Sequence, residues 1–296
     1  MTTTLPHSYF SDGRSPFPEK KTKESRSDRF RDVYIPRHIA VIMDGNRRYA
    51  GKHGIAAGAG HRMGTKTTNR IIEWAYRAGV SCLTVYAFST ENFNRKDEEI
   101  RTIFSLLTEK LDQLMRDEKI MKRGLCVRVI GDLSLLPEDI VGTIREIEEK
   151  TKDNDRMFVN IALAYGGRQD LLSAFRKMSE SSAGTNGPGE DLREEIRKNL
   201  WPSPDCGNPV PDVDLVIRTG GELRTSNFLS WQANGNRAVF YVSEKMWPEF
   251  GLIDFKRAIM AYSVAGRAGK KHDEKRKRFI QEFLKMNGKS NPDDIA

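Results

Sequence analysis

The sequence predicts an α/β fold in a single domain, with a mostly parallel central sheet flanked by helices. Short apolar runs alternate along the chain with longer segments whose apolar residues recur at helical spacing. The apolar runs are nearly continuous rather than alternating, which is typical of strands buried on both faces of a parallel sheet. We therefore expect one compact domain over residues 35–265.

The first predicted strand, Ile39–Met43, ends abruptly at Asp44. The next element is a helix over Met63–Arg77, closed by Gly79, a residue typical of helix C-termini. Strands and helices then alternate as Val80–Phe88, Glu98–Arg116, Cys126–Ile130, Pro137–Lys150, Phe158–Ala164, Arg168–Met178, the strands Leu215–Arg218 and Ala238–Val242, and a late helix from Phe255–Tyr262. A Gly/Ser-rich surface loop is expected at Ser179–Glu190.

Both ends of the chain are basic and poor in apolar residues. We expect a flexible arm over residues 1–34 and a tail over 266–296, with basic clusters at Lys20–Arg31 and Lys270–Arg278 and a net charge of +8. Such runs could bind nucleic acid or an anionic membrane surface. No nucleic-acid-binding module accompanies them, so we expect no nucleic-acid partner and leave a peripheral membrane contact open.

The cysteines and the apolar runs indicate the compartment. Cys82, Cys126 and Cys206 are far apart and form neither a metal-ligand spacing nor a disulfide framework, which favours a reducing environment. The N-terminus lacks the layout of a secretory signal, and no apolar run is long enough to cross a bilayer. We expect a cytoplasmic protein, with a peripheral location at a membrane surface as the alternative.

Polar residues follow four predicted strands at the point where each strand ends. The segments are Asp44–Arg48, Ser89–Arg95, Tyr165–Arg168 and Arg218–Asn227. Ligands of open α/β sheets bind beyond the carboxyl ends of the strands, and arginine, amide, hydroxyl and glycine groups hold oxyanions. Asp44 suits a Mg²⁺ ion that is shared with substrate phosphates. The pattern predicts a phosphate or diphosphate site at one rim of the sheet.

Two further motifs limit the chemistry. The chain has no Gly-x-x-x-x-Gly-Lys-Ser/Thr loop, which excludes a P-loop nucleotide hydrolase. His61 lies among small residues at an expected helix start. It is either a structural histidine or a phosphate contact or proton donor.

These segments together resemble the cis-prenyltransferases, the undecaprenyl and dehydrodolichyl diphosphate synthase family, and most closely its archaeal and eukaryotic branch. The resemblance covers about residues 35–265, through His38–Ala50, Gly60–Gly64, Thr84–Arg95, Tyr165–Arg168, Asp214–Gln232 and Trp247–Phe250. It implies a Mg²⁺-dependent enzyme that adds isopentenyl units to an allylic diphosphate with Z double bonds, usually as a homodimer.

The resemblance also implies roles for individual residues. Asp44 would assist Mg²⁺ binding and diphosphate departure, with Ser89 and Asn92 as further catalytic residues. The allylic diphosphate would be held by Gly45, Asn46, Arg47, Arg48, His61 and Arg95. Isopentenyl diphosphate would be held by Arg218, Arg224 and Ser226, and Tyr49, Glu91 and Phe93 would shape the gate. The alkyl chain needs a dry tunnel, and the apolar face Ile100–Leu114 is a candidate wall.

Two positions depart from the family pattern. Ala57 stands where the family usually has an arginine for the allylic diphosphate, and Arg237 stands where it usually has a glutamate that completes the Mg²⁺ site. A cation cannot ligate Mg²⁺, although Glu222 or Glu244 could compensate. These departures keep open a diverged terpene synthase or an irregular-coupling enzyme on the same fold.

A regulatory subunit of a heteromeric prenyltransferase is a further alternative, which the intact Asp44 and the Arg218-to-Ser226 cluster oppose. Arg267-Ala268-Gly269 resembles the Arg-x-Gly motif through which family homodimers reach the partner's site.

Overall fold

The computed structural model describes residues 33–181, 192–201, 211–233 and 238–266, and these ranges contain six strands. The strands are β1 (His38–Ile42), β2 (Cys82–Ser89), β3 (Leu125–Ile130), β4 (Met157–Tyr165), β5 (Leu215–Thr219) and β6 (Val239–Ser243). They form one sheet in the order β3-β4-β2-β1-β5-β6, and every neighbouring pair is parallel. The predicted parallel sheet is confirmed.

The helices pack on this sheet. They are α1 (Asn46–Lys52), α2 (Ala57–Ala78), α3 (Asp97–Arg116), α4 (Glu118–Lys122), α5 (Glu138–Thr151), α6 (Gly167–Ser181), α7 (Leu192–Asn199) and α8, which comprises residues 252–266. None of the helices in the described ranges has the length and apolarity of a bilayer span. Each predicted helix is present, and α1, α4 and α7 are additional. These three have at most eight residues, too few to show a clear apolar period.

Helix α2 begins at Ala57, six residues before the predicted start at Met63. The sequence reasoning placed its start too late because three glycines in the first turns lower helix propensity. Packing explains two of them: a Cβ on Gly60 would meet the Ala50 Cβ at 3.0 Å, and one on Gly64 would meet Trp247 Cδ1 at 2.9 Å. The glycines thus let α2 approach α1 and the Trp247 ring closely. At the other end, Gly79 caps the helix at φ 83°, as predicted.

The core lies on both faces of the sheet. Strands β1 and β5 are buried along their whole length. One face packs against α2, α3, α5 and α8 through a large aliphatic cluster, and the other face carries a cluster centred on Tyr86, Tyr165 and Phe228. Full burial of the central strands explains why their sequences are continuous apolar runs.

A row of buried polar side chains crosses the sheet away from the carboxyl ends of the strands. His38 Nε2 lies 2.8 Å from Thr84 Oγ1, and its Nδ1 lies 2.8 Å from the Pro211 carbonyl oxygen. Asn160 Nδ2 donates to the same Thr84 hydroxyl, and Arg128 Nε donates to Asn160 Oδ1. Burial lowers the pKa of His38 to about 4, so the folded protein holds this imidazole neutral at neutral pH.

The predicted arm and tail fall almost entirely outside the described residues. At the boundary, the Tyr34 backbone N–H donates to Ser263 Oγ at 3.0 Å, which ties the chain to α8. The loop predicted at Ser179–Glu190 also lies largely outside the described ranges, and its first three residues belong to α6 instead. Arg237, the Arg267-Ala268-Gly269 motif and Cys206 lie outside them as well.

Candidate active site

A cavity of ≈ 640 Å³ opens at the carboxyl ends of β1, β2, β4 and β5. It brings together most of the residues that were predicted for the site: Asp44, Asn46, His61, Ser89, Glu91, Asn92, Arg95, Arg218, Arg224 and Ser226. These residues come from distant parts of the chain, and they meet because parallel strands end at the same edge of the sheet. Arg168, Gln169 and Asn227 also line it.

Asp44 lies between two arginines in this cavity. Arg218 Nη2 donates to its Oδ2 at 2.8 Å, and Arg48 Nη2 lies 3.3 Å from its Oδ1. Burial by itself would raise the pKa of Asp44, but the two guanidinium groups outweigh it and hold that pKa below its ordinary value. Asp44 is therefore an ionised carboxylate at neutral pH.

The main chain around Asp44 is held from two sides. Thr219 Oγ1 donates to its carbonyl oxygen at 2.7 Å, and the Trp247 backbone N–H donates to the same oxygen at 2.9 Å. The next residue, Gly45, has φ +105°, and a Cβ there would lie 2.8 Å from the Met246 Cβ. Glycine is required at this position for both its backbone angle and its lack of a side chain.

Arg218 organises the loop that follows β5. Its side chain is only 4% exposed, and its Nη1 donates to Ser226 Oγ at 2.7 Å and to the Arg224 carbonyl oxygen. Ser226 and Asn227 adopt left-handed backbone angles, φ 51° and 57°. Such angles are uncommon for residues with a side chain and occur often at ligand-binding sites. The loop is thus shaped around the buried guanidinium.

Glu222 contacts two solvent-exposed arginines of the site. Its Oε2 accepts from Arg224 Nη1 at 2.7 Å, and its Oε1 lies 3.6 Å from Arg48 Nη1. Glu222 is not among the residues that line the cavity, so the hypothesis that it replaces a metal ligand gains no support here. Across the described part of the chain, no group of three His, Cys, Asp or Glu side chains is arranged to hold a metal.

A second cationic cluster surrounds Glu99, in the first turn of α3. Its Oε1 accepts from Arg95 Nη1 at 2.9 Å and lies 3.6 Å from His61 Nε2 and 3.8 Å from Arg47 Nε. Burial, with the nearby Arg95, lowers the pKa of His61, so that the imidazole is neutral at neutral pH. The sequence reasoning missed Glu99. The only available signal was its position four residues after Arg95, at the start of the predicted helix Glu98–Arg116.

The loops after β2, β4 and β5 are tied together by Asn227. Its Nδ2 donates to Glu91 Oε1 at 3.0 Å and to Gln169 Oε1 at 3.2 Å, and its Oδ1 accepts from the Arg168 backbone N–H. Asn92 accepts from the Ser89 backbone N–H through Oδ1 at 3.2 Å, which fixes the turn after β2. The side chains of Asn227, Glu91, Gln169 and Asn92 therefore fix the shape of these loops.

Asp170, in the first turn of α6, holds the Tyr165-Gly-Gly-Arg168 segment through a hydrogen bond from Tyr165. It accepts from Tyr165 Oη at 2.8 Å and from the Trp201 backbone N–H at 2.8 Å. Burial raises the pKa of Asp170 to about 6, and these hydrogen bonds oppose that rise. The segment that carries Arg168 and Gln169 to the cavity thus depends on a buried acid.

Two residues that were predicted to shape the gate lie elsewhere. The Phe93 ring packs against Phe88, with ring centroids 5.0 Å apart, and belongs to the core behind the cavity. Tyr49 stacks on His53 at 4.1 Å along α1. Of the three predicted gate residues, only Glu91 lines the cavity. Sequence order placed Phe93 beside the site, but the 3₁₀ turn Thr90–Asn94 directs its ring into the core.

A smaller apolar cavity of ≈ 120 Å³ lies beside the polar one. The two share Met43, Asn46, His61, Ala87 and Ile103. The predicted tunnel wall on α3 contributes Ile103, Leu107 and Leu114, whereas Leu111 of the same face is fully buried in the core. The site therefore joins a cationic compartment to an apolar one, as an amphiphilic ligand with an anionic head requires.

Comparisons with known proteins agree with this geometry. Residues 42–269 match the family model described as "Putative undecaprenyl diphosphate synthase". The tritrans,polycis-undecaprenyl-diphosphate synthase (geranylgeranyl-diphosphate specific) of Methanosarcina mazei is 45% identical over 253 residues, which is 85% of this chain and 84% of that protein. The protein of the same name from Archaeoglobus fulgidus is 45% identical over 229 residues, 77% of this chain and 89% of that protein.

Two solved structures are also similar. Lavandulyl diphosphate synthase from Lavandula x intermedia, in complex with dimethylallyl diphosphate, has a TM-score of 0.71 and 31% identity, covering 77% of this chain and 95% of that one. A probable undecaprenyl diphosphate synthase from Campylobacter jejuni has a TM-score of 0.61 and 35% identity, covering 78% and 96%. The resemblance inferred from the motifs is confirmed: the chain belongs to the undecaprenyl diphosphate synthase family of cis-prenyltransferases, enzymes that transfer prenyl groups.

Proposed function

We propose that this enzyme condenses isopentenyl diphosphate with an allylic prenyl diphosphate and so elongates a prenyl chain with Z double bonds. The observation that carries the proposal is that Asp44 lines one cavity together with two groups of donors. His61 and Arg95 form one group, and Arg218, Arg224 and Ser226 form the other. Two diphosphates need two such groups. The names of the archaeal relatives support geranylgeranyl diphosphate as the allylic primer.

The reaction makes clear demands on the site. The bond between the allylic carbon and its diphosphate oxygen breaks, and the terminal alkene carbon C4 of isopentenyl diphosphate forms a bond to the allylic carbon. A proton then leaves C2 of the isopentenyl unit, which gives the new C2=C3 double bond, and diphosphate and the proton are released. Negative charge collects on the departing diphosphate, so fixed donors that face it lower the barrier. Arg47, His61 and Arg95 would face the allylic diphosphate, and Arg218, Arg224 and Ser226 would hold isopentenyl diphosphate in place.

Mg²⁺ as the cofactor is part of the proposal. Mg²⁺ binds proteins through one or two carboxylates together with substrate phosphate oxygens, and Asp44 offers an ionised carboxylate at the cavity wall. When bound, the metal would neutralise charge on the leaving diphosphate. Asp44 lines the cavity and Glu222 does not, so Asp44 is the protein ligand that we propose.

A homodimer is also proposed. The edge strand β6 leaves one side of its backbone without a strand partner among the described residues, and its Phe240 ring is 44% exposed. An exposed aromatic residue on an edge strand favours association with a second copy. Light scattering of the purified protein should give the mass of two chains, and Phe240→Glu should shift it toward the mass of one.

The function is tested with purified protein and geranylgeranyl or farnesyl diphosphate, with and without isopentenyl diphosphate, in Mg²⁺ or EDTA. Products are identified by mass spectrometry before and after phosphatase treatment. We expect longer prenyl diphosphates only when isopentenyl diphosphate and Mg²⁺ are both present, and none from Asp44→Asn. A hydrocarbon or alcohol formed from the allylic substrate alone would instead establish terpene synthesis, and equal yields in EDTA would refute the metal requirement.

A further inference from the structure

Helix α8 has two faces of different character. Its inner face packs into the core through residues such as Phe255 and Ile259, which are buried. Three apolar side chains of the same helix are instead at least half exposed: Ile253 (66%), Met260 (50%) and Val264 (60%). The described residues thus leave these three side chains without an apolar neighbour that covers them.

The three exposed side chains form one stripe along the helix. They follow one another at intervals of seven and four residues, so at about 100° per residue they lie within an arc of about 40°. Single exposed apolar residues are ordinary on protein surfaces. Three of them aligned over about three turns of one helix make a continuous apolar strip, which is typical of an interaction surface.

Basic side chains lie on both sides of this stripe. At the same angular spacing, the exposed Lys256 falls on one side of it and the exposed Arg257 on the other. Asp254 is the one acidic residue of α8, whose residues 252–266 are all described; it is 3% exposed, and it accepts from Lys245 Nζ at 2.8 Å. The outer face of α8 is therefore apolar and positively charged.

The sequence that follows α8 adds positive charge at the end of the stripe. Residues 267–278 contain seven basic and two acidic side chains. They lie outside the described ranges, and the inference uses only their charge. The chain therefore places a strongly basic segment directly after a helix whose outer face is apolar and basic.

The chemistry of this face favours one class of partner. An anionic bilayer offers apolar acyl chains to the stripe and phosphate groups to the basic side chains that flank it. A second copy of α8 would bring two sets of basic side chains together, which is unfavourable. A nucleic acid would match the charge but would leave the apolar stripe without a partner.

We propose that the outer face of α8, formed by Ile253, Met260 and Val264 with Lys256 and Arg257, docks this enzyme onto the surface of an anionic phospholipid bilayer. The stripe would enter the boundary between head groups and acyl chains, and the basic side chains would contact lipid phosphates. Docking would hold the enzyme at the phase in which a long prenyl product dissolves. This consequence rests on the proposed elongation, whereas the docking does not.

The electrostatic part is tested with the full-length protein and sedimented vesicles, without substrates. The wild type should bind vesicles that contain phosphatidylglycerol, more weakly as salt is added, and should not bind vesicles of phosphatidylcholine alone. Lys256→Gln/Arg257→Gln should weaken binding about 25-fold, at about fivefold for each charge. Lys66→Gln/Arg145→Gln is the matched control, because it removes two exposed basic side chains from α2 and α5. It should bind within about twofold of the wild type.

The apolar part is tested with Ile253→Gln/Val264→Gln, which keeps every charge. This variant should bind the anionic vesicles at least about tenfold more weakly than the wild type. Thermal unfolding establishes that each variant is folded, and light scattering gives its mass. All variants should keep the wild-type rate of elongation in detergent solution, because these residues lie outside the cavity.

Three results would overturn the docking proposal. The wild type would fail to bind the anionic vesicles, or the folded α8 variants would bind them as the wild type does. In the third case, Ile253→Gln/Val264→Gln would lower the mass from two chains to one, which would assign this face to a second copy. Failure of the wild type to elongate any allylic diphosphate would instead refute the proposed function and leave the docking in place.

Discussion

Arg218 offers the sharpest test of the site. Its guanidinium donates through Nη2 to Asp44 at 2.8 Å and through Nη1 to Ser226 at 2.7 Å, and its side chain is 4% exposed. The two nitrogens Nη1 and Nη2 of its planar guanidinium group therefore serve two different partners, Ser226 and Asp44. Lysine has the same charge but a single nitrogen, so it cannot reproduce the fork. We therefore expect Arg218→Lys to damage the site, and Arg218→Met to damage it more.

The magnitudes follow from the contacts. Arg218→Lys loses at least one charge-assisted hydrogen bond, about 1.5–3 kcal/mol, which corresponds to about a 10- to 150-fold fall in kcat/KM for isopentenyl diphosphate. Arg218→Met also removes the charge that faces the diphosphate, so the fall should reach about 10²- to 10³-fold or more. The loss of its main charge partner should also raise the pKa of Asp44 toward the ordinary range.

The assay measures initial rates over a range of isopentenyl diphosphate concentrations at saturating allylic substrate, with thermal unfolding of each variant beside it. Arg197→Lys is the control. Arg197 also pairs with a carboxylate, since its Nη2 contacts both oxygens of Asp212, at 3.1 and 3.3 Å, but it lies outside the cavity. We expect its activity to match the wild type. If folded Arg218→Met kept kcat/KM within about tenfold of the wild type, Arg218 would not bind the substrate as proposed.

Three further predictions concern stability, measured by urea unfolding. Gly45→Ala should cost at least about 1–3 kcal/mol, since alanine disfavours φ +105° and its Cβ would lie 2.8 Å from that of Met246; a change below about 0.5 kcal/mol would contradict this. Burial lowers the pKa of His38 from 6.5 in the unfolded chain to about 4 in the fold. Because the fold holds the neutral imidazole, the free energy of unfolding should be highest above pH 6.5 and should fall by about 3 kcal/mol between pH 6.5 and pH 4. His38→Gln should remove this fall in the free energy of unfolding. The same pH profile in the variant as in the wild type would contradict the role given to His38. Asp170 has a pKa of about 6 in the fold, against 3.8 in the unfolded chain. As the pH falls from 6 to 3.8, the folded protein binds this proton before the unfolded chain does, so Asp170 raises the free energy of unfolding. Asp170→Asn should therefore lose more stability than the wild type over this range, by up to about 3 kcal/mol, and a parallel profile would refute the assignment.

The predicted strands were recovered to within about two residues at each end. Their apolar runs are continuous because β1, β2 and β5 are buried on both faces, and burial of this kind shows directly in the choice of side chains. The start of α2 could not be predicted in the same way. Its glycines look like helix breakers until Ala50 and Trp247 are seen packed against them.

The candidate site shows the same division. The sequence by itself determined that Asp44, the arginines at the strand exits and the Arg218-to-Ser226 segment share one rim, because parallel strands align their carboxyl ends. Only the tertiary structure decided which of these residues touch. It directed Phe93 into the core, put Glu99 beside Arg47, His61 and Arg95, and engaged Glu222 with Arg48 and Arg224. Periodicity identifies the face on which a residue lies, but contacts between separate elements depend on how those elements pack, and a linear pattern does not contain that information.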